Sequence, residues 1–570
     1  MKQVLSVALA LLLLSGCAAD IQTSESSGAD FENANIGEPT SMPYDNIYPQ
    51  HEPYGTGIGA MPGRVVWAHE PESVSWDGSG YWWEPDHFDE TAIINMVNDS
   101  IAALGGRGTA QAGWAALFQA HNSGTGYLAG EKIAIKANIN GSAVYDDDTS
   151  GETKMSYTNP VLLKALLRSL VEEAGVAPPD ITVYDVSRLF PDYMVEMCTA
   201  GDLRGVSFVG RDNGAADESA PITWSYSFSG NVNYLPTCVT ETAYVINLAN
   251  LKGHSYGITL CGKNHFGSFI NGNAMRPPEG ANLHQWLTRN EMGIYSPLAD
   301  LMANEQLGGK TVLYMLDALI CAPSEGASVS TENAKWQQPP FDGYYTASIF
   351  MSQDQVAIDS VGADFLMNEP AVTSRNSALR DNPSVENYLH EAGLVADAPS
   401  GTVYRNGSGE PVFNLGVHEH WNNSTQKQYS RNLGKEEGIE LISVYAKDIP
   451  EEKQEEIMRI KVTDGTNDVI FQLNDGSTAQ SLYAQLPLTV NVENYGSNEK
   501  IFYPPEKLDT SDVVEGSGPA GTLAYFSPWG NVVMYYGSFG AYLGLYILGD
   551  ATEGAENIQN LSGTITITAG

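Results

Sequence analysis

The chain has 570 residues, with 69 acids against 29 bases and a formal net charge of -40. That acid excess argues against nucleic acid and against bare anionic membrane surfaces as partners. The length exceeds what one hydrophobic core organises, so two or more domains are expected.

Near the N-terminus, Lys2 precedes an apolar run from Val4 to Leu14 that ends in "LSGC" at Cys17. The run is too short for a permanent bilayer span and reads as an export signal over residues 1–16. Leu-Ser-Gly-Cys resembles the processing pattern of bacterial lipoprotein precursors. That resemblance implies a lipid on Cys17, contact with a membrane through it, and a place in the cell envelope, at the outer membrane or the periplasmic face. Residues 17–62 are rich in Ser, Gly, Asn, Glu and Pro, lack periodicity, and read as a flexible tether.

"EKIAIKANING" (131–141) predicts a buried strand that ends in polar residues and glycine. In "TNPVLLKALLRSLVEEAGV", Asn159 stands at the N-cap, Pro160 at the first helical position and Gly175 just past the end. Leu162, Leu163, Leu166, Leu167 and Leu170 form its apolar face. Strands follow at 180–188, 243–254, 310–320 and 347–352, and "DQVAIDSVGADFLMN" reads as a helix. Short apolar strands alternating with helices predict an α/β domain over 63–425. Its sheet is open and largely parallel, with helices on both faces.

Ligands of such sheets bind beyond the carboxyl ends of the strands. Here those ends carry Lys136 and Asn138, Asp185 and Arg188, Asn247 with Lys252 and His254, Asp317, and Ser352 with Asp354. The segment "LKGHSYGITLCGKNHFGSF" (251–269) holds two lysines, two histidines and no acid. Its glycines let backbone N–H groups approach a ligand, and its lysines offer charge to carboxylate or phosphate. The partner expected is therefore an anionic small molecule, held by Lys136, Asn138, Lys252, Asn264, His265 and Asp317. If chemistry follows, His254 moves the proton, Lys263 supplies charge or an amine, and Asp185 or Asp317 orients the histidine or a metal. Two other readings stay open: lysines that only neutralise strand-end aspartates, and a non-catalytic binding lipoprotein.

No cofactor is read from the sequence, and no metal. His254, His265, Asp185, Asp317, Asp354 and Asp359 are of ligating type, but no pair has a recognised metal spacing. "VHEHW" puts His418 and His420 two apart, which on a strand aims both the same way. With no third ligand visible, they read as surface residues packing on Trp421. "GHSYG" has the outline of a nucleophile elbow, yet the turn is too long and partners in convincing order are absent. Four cysteines follow Cys17; Cys198 with Cys238 is the disulfide expected, free buried thiols being the alternative.

Residues 426–454 are charged and read as a linker. From 455 to 570, short alternating strands separated by Asp-Gly, Asn-Asp-Gly and Ser-Asn-Glu turns predict a small closed β-barrel.

Two resemblances join this reading. "INLANLKGHSYGITLCGKNHFG", "LDALICAPSEGAS" and "SIFMSQDQVAIDSVGADFL" are similar to the bacterial family catalogued as domain of unknown function 362. Some relatives carry ferredoxin-type cysteine clusters, which this chain lacks. The resemblance implies a fold and a motif but no reaction. "FQLNDGSTAQSLYAQLPLTVNVENYGSNEKIFYPPEKL" and "GTLAYFSPWGNVVMYYGSF" resemble the bacterial cyclophilin-like domain, implying a closed barrel. The arginine beside an aromatic groove that marks true cyclophilins has no match at Arg459, so isomerase activity is not implied.

Overall fold

The computed structural model describes residues 48–142, 150–226, 232–271, 283–287, 291–444, 458–474, 476–510 and 516–569. The export signal, Cys17 and most of the tether lie outside them. The chain divides into two compact units, residues 1–447 and 448–570.

The first unit is organised by eight strands: β1 Arg64–His69, β2 Ile133–Lys136, β3 Ile181–Tyr184, β4 Ser207–Val209, β5 Tyr244–Asn250, β6 Thr311–Ala318, β7 Ser348–Ser352 and β8 Glu440–Val444. They lie in the order β8-β1-β7-β6-β5-β2-β3-β4. Strand β7 is antiparallel to both its neighbours, and every other adjacent pair is parallel. The sheet is thus mixed, seven strands against one. Strands β5 and β6 are buried along their whole length, as strands covered on both faces must be.

Helices cover both faces. Helix α1, Glu90–Leu104, packs Ile93, Met96 and Val97 into one core with Val66, Ala68, Ile349 and Met351. Helix α2, Pro160–Glu172, joins that core through the five predicted leucines, all fully buried. Each such leucine contributes roughly 1.5–3 kcal/mol. The Asn159 side chain accepts from the amides of Val161 and Leu162, so the N-cap forms as expected. On the opposite face, Phe365 of helix α3, Gln355–Met367, meets Trp67 and Phe350 with ring centroids 4.9 and 5.0 Å away. Helix α4, Ser384–Gly393, follows.

Strand order positions the site. The chain runs from β2 outward through β3 to β4, then returns to place β5 on the other side of β2. The carboxyl ends of β2 and β5 therefore flank a topological switch point, where open α/β sheets hold ligands.

Four sequence expectations change. The predicted strand over 243–254 ends at Asn250. Lys252–His254 then forms a hairpin with Gly257–Thr259, its turn closed by Gly257 at φ +114°. A Cβ at Gly257 would stand 2.7 Å from Val385 Cγ2. The segment read as a linker supplies β8, an edge strand paired with β1. The end of the tether is structured, since Tyr54–Gly55 pairs with Val417–His418. All four described cysteines are free. Cys198 faces the core of α1 and α2, whereas Cys238 packs on the cluster across the sheet, so the expected pair cannot meet.

The second unit is a closed antiparallel barrel of β9 Arg459–Thr463, β10 Asp468–Leu473, β11 Leu488–Tyr495, β12 Glu499–Phe502, β13 Thr522–Phe526, β14 Asn531–Tyr535, β15 Leu545–Glu553 and β16 Gly563–Ala569. The order is β9-β10-β15-β13-β14-β12-β11-β16, and β16 pairs back to β9 to close the ring. Period-two alternation sends Ile460, Val462, Phe471, Ile565 and Ile567 inward, all fully buried. Side chains fill a barrel of this size. No helix among the described residues is long and apolar enough to cross a membrane.

Candidate functional site

At the switch point the sequence-selected residues sort into two groups. The first is inward and closed. Lys136 Nζ lies 3.0 Å from Asp185 Oδ2 and also donates to the Ala137 carbonyl at 2.6 Å. Asp185 further accepts from the Ile139 amide at 3.3 Å, the Ser187 amide at 3.0 Å and the Ser187 hydroxyl at 2.6 Å. Gly267 packs so closely that a Cβ would stand 2.5 Å from Asp185 Oδ1. Burial lowers the Lys136 pKa, and the Asp185 charge opposes that shift.

Asn264 is the hub of this group. Its amide donates to the Lys136 carbonyl, Asn247 Oδ1 and the Leu248 carbonyl at 2.8–3.2 Å. Its oxygen accepts from Asn138 Nδ2 at 3.1 Å and Lys136 Nζ at 3.4 Å. His265 sits within the same network. Asn247 Nδ2 donates to its Nε2 at 3.0 Å, so the ring proton is on Nδ1 and reaches Ser268 Oγ at 3.0 Å. Burial pushes this histidine down to about 3, and both ring nitrogens are used, so it belongs to the scaffold. Asp317 accepts from the Asn159 amide at 2.7 Å, Asn250 Nδ2 at 3.2 Å and the Leu319 amide at 3.3 Å. It ties the start of α2 to β6, with burial raising it to about 6.

The second group is cationic and reaches outward. Lys252 is fully buried, yet its Nζ meets only neutral oxygens, Asn138 Oδ1 at 3.2 Å and the Ser156 carbonyl at 2.6 Å. Burial pushes it down to about 8, against the fields of Glu325 and Asp317. Lys263 Nζ is 3.2 Å from His284 Nε2 and 4.7 Å from the centre of the Phe266 ring. Burial, with repulsion from Lys252 and Arg188, pushes it down to about 7 despite the field of Glu325. His254 Nδ1 accepts from the Tyr256 amide at 3.0 Å, which places the proton of the neutral ring on Nε2. That nitrogen lies 3.7 Å from Glu325 Oε1. Burial first, then Lys263, His284 and Lys252, hold His254 well below the usual imidazole range. Lys263, His284 and Glu325 are half-buried and form the solvent edge of this group.

His254 and Lys263 thus fall together, but Asp185 does not orient His254. It is spent on Lys136, and Glu325 stands in that place. Glu325 was legible in principle, since it leaves β6 at a strand end already singled out. His284 follows residues without pattern, and nothing in the sequence flags it. Asp354 and Asp359 are not metal-type ligands here. Asp354 caps α3 and accepts from Ile58 and Val417, and Asp359 accepts from the Cys261 and Gly262 amides and the Tyr388 hydroxyl. "GHSYG" forms a hairpin tip, not a strand-to-helix elbow.

The reading of "VHEHW" as surface needs correction. His418 and His420 are fully buried, and the chain brings His51 and Glu386 to them from distant segments. Sequence spacing shows two of these groups and hides the other two.

The chain matches the family model described as Domain of unknown function (DUF362) over residues 133–364 and that of the Cyclophilin-like family over 462–569. Those two matches give its domain composition. No curated protein matches. Among solved structures, a hypothetical protein from Archaeoglobus fulgidus, determined in solution, matches at 13% identity over 20% of this chain and 95% of its own, with a TM-score of 0.18.

Proposed function

We propose that the first unit binds an anionic small molecule at the switch point, against Lys252, Lys263 and His254. One observation carries this reading. In a chain of net charge -40, the amines of Lys252 and Lys263 make no ion pair with a described residue, although Lys252 is fully buried. Glu325 acts on both amines, and Asp317 on Lys252, but only from beyond ion-pair contact. A buried charge without a contacting counter-charge is expensive, and an anionic ligand relieves that cost. The ligand enters over the edge of Lys263, His284 and Glu325.

A catalytic version has its own support. Lys263, pushed down to about 7, can exchange a proton near neutral pH on one side of the ligand, and neutral His254 stands beside it facing Glu325. A thermal-shift series with inorganic phosphate, pyrophosphate and citrate tests binding, and product analysis of metabolite hits tests turnover. Saturation at one hundred times Kd stabilises the fold by about 2.7 kcal/mol. No shift with any anion refutes the reading.

On the "LSGC" pattern we also propose a lipid on Cys17 that holds the chain in the cell envelope. A Cys17→Ser chain should then leave the membrane fraction, and its retention there would refute the anchor.

A further inference from the structure

Four of the chain's ten histidines gather in a second cluster that shares no residue with the lysine site: His51, His390, His418 and His420. Ring centroids of His51, His418 and His420 stand 5.0–5.4 Å apart. A ligating atom from each of these three and from Glu386 lies within 4.8 Å of all the others. The four residues come from the N-terminal segment, helix α4, and the Val417–His418 strand with the residues just after it. All lie outside the residues matched by the family model.

Hydrogen bonds at the far side of each ring set its direction. His51 Nδ1 is 2.7 Å from the Glu52 carbonyl, which only accepts, so the proton is on Nδ1. The Ser360 hydroxyl donates its single proton to the Val356 carbonyl at 2.7 Å, so its oxygen accepts from His418 Nδ1 at 2.9 Å. His420 Nδ1 donates to Asp364 Oδ1 at 2.6 Å, and Asp364 Oδ2 is fixed by the Trp421 amide and the Tyr429 hydroxyl. Each ring is therefore pinned at Nδ1 by an oxygen and presents Nε2 inward. Metal-binding histidines are oriented in this way.

The inward nitrogens are left poorly served. His51 Nε2 and His418 Nε2 are buried without a hydrogen-bond partner, although Glu386 Oε1 lies 3.5 Å from the latter. His420 Nε2 is 3.0 Å from Glu386 Oε2. Two imidazole lone pairs facing each other beside a carboxylate repel, and a proton on His420 serves only one of the three rings. A cation accepts all three nitrogens and the carboxylate together. His390 Nε2, 2.7 Å from Glu386 Oε1, steadies that carboxylate from outside.

We propose that His51, Glu386, His418 and His420 bind one divalent first-row transition-metal ion. Three imidazoles and one carboxylate suit zinc and its neighbours, not the all-oxygen shells of calcium and magnesium. Four protein ligands make a closed, structural set. The ion would staple the N-terminal segment to α4 and to the Val417–His418 strand.

The test uses the full chain, stripped with chelator and titrated with Zn²⁺ and with Co²⁺. One equivalent should bind at micromolar concentration or tighter, raise the melting temperature, and give Co²⁺ the intense visible bands of a low-coordinate nitrogen-rich site. His51→Ala and Glu386→Gln should each weaken Zn²⁺ binding at least about tenfold, while His254→Ala keeps it. Zn²⁺ affinity equal to wild type in both ligand variants would overturn the proposal. If those variants do not fold, the wild-type chain decides, since no uptake, or only the faint bands of octahedral Co²⁺, overturns it equally.

Discussion

Lys136 and Lys252 leave adjacent strands of one sheet, and both are fully buried, yet they are held in opposite ways. Lys136 meets Asp185 at 3.0 Å, and the charge is matched inside the protein. Lys252, like Lys263 beyond it, meets only neutral groups. The difference separates scaffold from site. A buried cation that its own chain neutralises holds the fold, whereas one left unmatched at a switch point looks to a partner from outside.

The largest effect expected is at the matched lysine. Lys136→Met strands Asp185 as a buried unpaired charge and should cost about 3–5 kcal/mol, read by chemical denaturation. A loss near zero would erase the contrast. Lys252→Met and Lys263→Met should reverse the pattern. Each should change stability by less than about 2 kcal/mol, because a lost hydrogen bond is offset by one fewer buried charge. Anion affinity should fall about ten- to a hundredfold by calorimetry, the worth of a charge-assisted contact.

Next comes pH. The folded-state values of about 8 for Lys252 and about 7 for Lys263 lie below their ordinary 10.5. The unfolded chain then binds these protons more tightly. The destabilisation is full below pH ~7 and is relieved as pH rises toward ~10.5, so their contribution to stability increases across that window. Anion affinity should run the other way, weakening as pH passes through 7–8 and the amines lose protons. An affinity flat from pH 6 to pH 9 would mean these amines do not hold the anion. Asp317→Asn sets the smallest effect. It disturbs the amides around α2 and removes a field acting on Lys252, so anion affinity should shift by only a few-fold, since the hydrogen bonds of Asp317 go to the scaffold.

The sequence carried the fold where periodicity and caps agree, as at Asn159, Pro160 and the leucine face of α2. It missed β8 because an edge strand in a charged segment has a weak pattern. The site was legible as a set of strand ends, and Lys252, His254 and Lys263 do share one cluster. Roles were not legible, because Asp185 and Glu325 differ in burial and partner, not in residue type. His51 and Glu386 were hidden for a related reason: ligands brought together by tertiary folding leave no spacing to read.

The most direct measurement is the melting temperature of the wild-type, Lys252→Met and Lys263→Met chains, each with and without saturating inorganic phosphate, pyrophosphate or citrate. The account predicts that at least one anion raises the wild-type value, and that both variants fold but lose most of that rise. Variants that melt many degrees earlier yet respond to the anion as the wild type does would contradict it, and would make these lysines part of the scaffold after all.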